Sequence, residues 1–240
     1  MSAEEMQTSV MHKAALDVIA NYQSTGEPFA LFLSSWSSDA QSKEVLELLK
    51  ELDLVQHVPE NVQFRIGVER RVRVTLQFHG LQTVAVYRQG DAPRIAMPGE
   101  WPAFSLTDDE WQSRVRETVA WADLIAIYWG AETPGLGAEL AMCGEGSNPL
   151  KTVLIVKAAP RDIYLSQIVK TYPRVVPTDE LELSPVLHPE FVPLIKRMKK
   201  IQALEAKRRT RFVDPEKRLK RFPLPATSRR FEGPIWIEGQ

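Results

Sequence analysis

The stretch ADLIAIYWGAETPGLGAEL, Ala122–Leu140, decides the fold. It runs from an apolar segment, Leu124 to Trp129, through a glycine-bearing loop into an alanine- and leucine-rich segment that ends near Gly144 or Gly146. A second apolar run, KTVLIVKA, follows from Lys151. Runs without polar alternation suit strands of a parallel sheet covered on both faces. Strand, helix and strand in this order imply a right-handed parallel crossover.

Working outward, EPFALFLSS reads as another buried strand with Pro28 at its beginning, and SSDAQSKEVLELLKEL as loop, cap and helix. Alternating Val72, Val74, Leu76 and Phe78 favour a strand, although Val68, Val72, Thr75, Leu76 and His79 also fit a helical stripe. TVAVYR is a strand, and DAPRIAMPGEWPAF a proline-bearing surface loop. SLTDDEWQSRVRETVAWA, with an early Ser/Thr/Asp cluster including Asp108 and Asp109, is a capped helix. Met11, Ala14, Ala15, Val18 and Ile19 give a leading helix its apolar face. A helix from Asp162 to Tyr172 stops at Pro173, and HPEFVPLIKRMKKIQALEAKRRTRF is a long helix. The remainder reads as an extended tail pinned by Phe222, Phe231, Ile235 and Trp236.

The 240 residues are enough for one large α/β domain with extensions. Hydrophobic residues make up 44% and charged residues 25%, and no apolar run reaches bilayer-spanning length, so no membrane is expected as a partner. The start lacks a basic region followed by an apolar core, which argues against a secretory signal. A single cysteine, Cys143, excludes an internal disulfide framework and fits the cytoplasm. The net charge of −1 is unevenly spread. Lys196 to Arg230 holds 14 Lys and Arg against Glu205, Asp214 and Glu216, a net of +11, so the rest carries −12. This segment is read as packing against an acidic body, its own or a partner's, in preference to nucleic acid, because interleaved stacking aromatics are missing.

In open parallel sheets, ligands sit beyond the carboxyl ends of the strands. Two polar loops qualify: SSWSSD after the first strand, with Ser34, Ser35, Trp36 and Asp39, and GAETPGLGAE, with Thr133, Gly135, Gly137 and Glu139. If both strands share one sheet, the loops form one cleft. Gly135 and Gly137 clear an approach to the backbone, and Glu139 is placed in the first helical turn, facing the opening. Its carboxylate suits a sugar hydroxyl or the positive charge that develops at an anomeric carbon. The alternative is an acid favoured there by the helix dipole. Ser37, Ser38 and Asp39 also read as helix caps in preference to phosphate ligands, as do Asp108 and Asp109, and Trp111, Trp121 and Trp129 read as core or cleft walls. His12, His57, His79 and His188 are too dispersed for a metal site, and no cofactor motif is present.

WADLIAIYWGAETPGLGAELAMC resembles a segment of nucleoside 2-deoxyribosyltransferases, in which a strand led by alanine and aspartate precedes a glycine loop and a catalytic glutamate. Gly135 and Glu139 match, while Thr133 and Leu136 replace that family's aspartate and threonine. From about Pro28 to Lys157 the chain is also similar to bacterial TIR-like domains. LTDDEWQSRVRETVAWADLIAIYWG follows their second motif, but Ser34 and Trp36 stand where they carry arginine and phenylalanine. These resemblances imply a flavodoxin-like, three-layer α/β fold with a mostly parallel sheet, and a helix over Glu69 to His79. The implied units are an N-terminal helix (1–25), the α/β domain (26–185) and a basic helical extension and tail (186–240). They imply a nucleotide or nucleoside ligand, with NAD as a candidate substrate, and N-glycosidic cleavage through Glu139. A noncatalytic nucleotide-sensing or assembly module, contacting a protein partner or forming a homo-oligomer, is the competing expectation.

Overall fold

The computed structural model describes residues 3–34, 71–88, 102–129, 134–156, 171–177, 188–205 and 214–226. Six strands form one sheet: β1 (Phe29–Ser34), β2 (Gln82–Arg88), β3 (Ala103–Leu106), β4 (Leu124–Trp129), β5 (Thr152–Val156) and β6 (Val175–Pro177). Every adjacent pair is parallel, and the order is β3-β2-β1-β4-β5-β6. Without the added edge strand β3, the order is the flavodoxin-like 2-1-3-4-5. The expected mostly parallel sheet is thus parallel throughout among the described residues.

The apolar runs explain the layers. β1, β4 and β5 are buried at every position. Phe29, Leu31, Leu33, Ile125, Ile127, Leu154 and Val156 face one side, with α1 (Ala3–Thr25), α3 (Asp108–Trp121) and α4 (Pro134–Cys143). Ala30, Phe32, Leu124, Ala126, Val153 and Ile155 face the other, under α2 (71–78) and α6 (Val192–Glu205). A strand between two helical layers has no polar face to show, so its sequence does not alternate.

Two sequence expectations change, and one open choice closes in favour of the resemblance. Residues 71–78 form a helix, as the resemblance implied and the alternation did not: Val72 and Leu76 are buried, whereas Val74 and Phe78 are exposed. Ala103 and Phe104 belong to β3 instead of a loop. The presumed tail contains α7 (Pro215–Arg221), whose N-cap Asp214 accepts from the N–H groups of Glu216 (2.9 Å) and Lys217 (3.3 Å). The helix placed over Asp162 to Tyr172 and the tail anchors Phe231, Ile235 and Trp236 lie, wholly or nearly so, outside the described residues; Phe222 is buried. The N-cap of α3 is Thr107, with Asp108 and Asp109 in its first turn, and Glu110 accepts from the Thr107 hydroxyl at 2.8 Å. At the other end of α3, the buried Lys151 ammonium donates to the carbonyls of Val119 (2.7 Å) and Ala120 (3.0 Å). It thereby satisfies two acceptors that a helix terminus leaves open. α5 (Asn148–Lys151) places this lysine at the entrance to β5.

Basic side chains of the C-terminal region are built into the body. Asp123, one residue before β4, is buried between Arg197 of α6 (Nη1 to Oδ1, 2.9 Å) and Arg218 of α7 (Nη2 to Oδ2, 2.9 Å). Arg197 Nε also donates to the Phe222 carbonyl at 2.9 Å. The Arg218 guanidinium lies over the Tyr22 ring of α1, 4.9 Å from its centroid. Fully buried Arg174 pairs with Glu190 (3.0 Å) and donates to the carbonyls of Leu150 (3.1 Å), Pro225 (2.6 Å) and Ala226 (3.3 Å). Arginine serves here because its fixed fork reaches several acceptors at once.

Removing one member of a buried ion cluster strands the others, at a cost of about 3–5 kcal/mol, whereas a half-exposed pair contributes at most about 1 kcal/mol. Asp123→Ala is therefore expected to lower urea-unfolding stability by about 3–5 kcal/mol. Arg116→Ala, which breaks a 2.7 Å pair with Glu145 whose two side chains are 58% and 57% exposed, is expected to cost about 1 kcal/mol or less.

Candidate functional site

Glu139 is the sixth residue of α4, in its second turn. This corrects the first-turn placement and weakens the dipole explanation, because the field of a helix end fades within its first turn. At 1.5 Å per residue, its Cα lies about 7.5 Å along the axis from Pro134. Side chains of a helix lean toward its N-terminus, which here is the end that follows the carboxyl end of β4.

The stripe Leu136, Glu139, Leu140 and Cys143 faces the core, and all four are buried. Among the described residues Glu139 Oε2 has no hydrogen-bond partner. Burial pushes the Glu139 carboxyl up to about 8, and a hydrogen bond from the Trp111 side chain opposes that rise. At neutral pH the group therefore holds a proton. It can donate that proton, or release it when positive charge arrives beside it. The Cys143 thiol, one turn further along, is pushed up by its own burial and then by Glu139, which fits a buried apolar role instead of a nucleophile. The helix is fixed beyond the glutamate, where Tyr172 Oη donates to the Leu140 carbonyl and Asn148 Nδ2 to that of Met142 (3.2 Å).

β1 and β4 are adjacent and parallel, so the loops that follow them leave the same edge of the sheet. At this point the strand order reverses, and a crevice opens in folds of this kind. Ser34 ends β1 in register with Tyr128 and is buried, with its Oγ unpartnered among the described residues. Alternation nevertheless turns Ser34 toward the α2 and α6 layer, with Ala30 and Phe32, whereas Glu139 lies in the opposite layer. The strand residues on the glutamate's side at this end are Leu33 and Trp129. Ser34 and Glu139 thus share an edge but not a face.

Gly135 is exposed in the first turn of α4, and among the described residues a Cβ built there would meet nothing within 4 Å. Gly137 is half-buried. Ser35, Trp36, Asp39 and Thr133 lie outside the described residues. Trp111 as the partner of Glu139 had no sequence signal, since 28 positions separate the two and only the packing of α3 on α4 joins them. No protein-family model, curated protein or solved structure matches the chain.

The raised Glu139 carboxyl fixes the sign of a stability effect. Between its ordinary value of 4.5 and about 8, the native state keeps a proton that the unfolded chain has released. The unfolded state then binds fewer protons, so stability falls as pH rises across that window and levels off above it. Glu139→Gln cannot titrate. Melting curves of the two proteins are expected to have similar pH slopes below about pH 4.5, and the wild type is expected to lose stability relative to the variant up to about pH 8. Parallel curves across the window would contradict a buried, proton-holding Glu139.

Proposed function

We propose that this chain binds a nucleotide or nucleoside at the carboxyl edge of β1 and β4 and cleaves its N-glycosidic bond with Glu139 as the acting carboxyl group. The observation that supports this most is a buried carboxyl in the second turn of α4, with one oxygen unpartnered among the described residues, beside the strand-order reversal. A buried acid without a charged partner costs stability, and such groups concentrate at sites of chemistry. The resemblance to nucleoside 2-deoxyribosyltransferases and TIR-like domains agrees with this reading through Gly135 and Glu139.

The chemistry follows from the environment. Breaking an N-glycosidic bond builds positive charge on the sugar ring, and a carboxylate beside it stabilises that charge. A neutral acid at rest becomes that carboxylate when a cation enters the same dry space, because the cation lowers its proton affinity. NAD carries a positive charge on its nicotinamide ring, so its binding itself favours ionisation of Glu139. A neutral nucleoside presents no such charge; there Glu139 gives its proton to the departing base, and water adds to the anomeric carbon and returns a proton to the carboxylate. The Trp111 side chain favours the ionised state. The proposed place of action is the cytoplasm; among the described residues no helix is long and apolar enough to cross a membrane.

A noncatalytic, nucleotide-sensing role is the second reading. Ser34 favours it, because the residue at the position of the TIR-like arginine offers only a hydroxyl and turns to the other face of the sheet.

Incubation of the purified chain with NAD, NADP and a nucleoside panel, followed by chromatography of released base, tests the proposal. Glu139→Gln is expected to reduce release to below about 1% of wild type, with melting behaviour showing that it is folded. Retained ligand binding without base release in the wild type would support the sensing role. Full activity in Glu139→Gln would end the assignment.

A further inference from the structure

α2 and α6 lie side by side over one face of the sheet, joined by Lys199 Nζ to His79 Nδ1 (3.1 Å) and by Gln202 Nε2 donating to the Gly80 carbonyl (3.0 Å). Their outer surface sets exposed apolar side chains, which water disfavours, beside a cationic stripe. Along α2, Arg71, Val74 and Phe78 fall at helical spacing and are exposed, Val74 by 44% and Phe78 by 86%. Along α6, Lys196, Lys199 and Lys200 form an exposed cationic stripe. Phe78 is the most exposed of the large hydrophobic side chains on the described surface. At that exposure it protrudes from the surface instead of lining a groove.

We propose that this face docks on an anionic lipid surface, with Phe78 and Val74 entering the headgroup boundary and Arg71, Lys196, Lys199 and Lys200 meeting the acidic headgroups. A contact of this kind needs no spanning helix, so it goes beyond the sequence argument that excluded a membrane on segment length. The pairing of an apolar ridge with flanking cations is what interfacial helices use: buried apolar area and attraction to acidic lipid act together. Nucleic acid fits the same charge less well. The Phe78 and His79 rings stand 86° apart, which offers no parallel platform for successive bases, and the adjacent Val74 has no stacking face.

Flotation of the full chain with vesicles of phosphatidylcholine alone, or containing about 30% phosphatidylglycerol, tests the proposal at about 0.05 M and about 0.5 M salt. Binding is expected only with the acidic lipid and is expected to weaken at high salt. Phe78→Ser is expected to reduce partitioning about tenfold, and replacement of Lys196, Lys199 and Lys200 by Gln on the order of a hundredfold. These are surface positions, and melting curves check that the variants fold. Absence of binding to acidic vesicles would overturn the proposal. So would binding insensitive to Phe78→Ser and abolished by competing DNA, which would mark a general polyanion site. Concentration-dependent dimerisation lost in Phe78→Ser, without vesicle binding, would assign the face to a second copy of the chain and overturn it equally.

Discussion

The carboxylate of Asp123 holds the sheet and the C-terminal helices in one arrangement. Its backbone N–H donates to the Phe29 carbonyl (3.0 Å), which ties the entrance of β4 to that of β1, and its two oxygens meet Arg197 and Arg218. One residue thus joins the two central strands to α6 and α7. Arg218 extends the connection to Tyr22 of α1. Burying two cations around one anion costs desolvation that a well-packed apolar cluster would avoid, so the gain is in specificity of docking more than in raw stability. The basic segment is in this respect part of the body, although many of its lysines remain on the surface.

The parallel core was legible in the sequence because burial on both faces leaves an unmistakable run of apolar residues, as in FALFLS, LIAIYW and TVLIV. Residues 71–78 were not, because Val72 and Leu76 satisfy both periodicities at once. What separates helix from strand there is the exposure of Val74 and Phe78, which only packing reveals. β3 is four residues long and follows Pro102, too short for its alternation to show. For α7 the signal was present: Asp214 followed by Pro215 is a capping residue ahead of a proline in the first turn. Pro134 was likewise available as a marker for the start of α4, and it would have placed Glu139 in the second turn.

The candidate site was legible in part for a related reason. Sequence order locates Glu139 after β4, but the Trp111 side chain that tempers its raised proton affinity comes from α3, which packs on α4 as β1 does. Ser34 shows the reverse case. Its position at the end of β1 follows from the strand, yet the side it faces depends on a parity count that the loop reading ignored. Proximity along an edge and convergence on one face are separate geometric requirements, and sequence patterns report the first more readily.

The borders of the sheet carry a further consequence. Among the described residues it ends on one side in β3, a four-residue strand, and on the other in β6, only three residues long and closing with Pro177, which has no amide hydrogen to offer. Long, flat borders invite a foreign strand to extend the hydrogen-bonded ladder, and short ones with proline resist it. Among the described strands neither border offers the long template by which a foreign strand would extend the sheet.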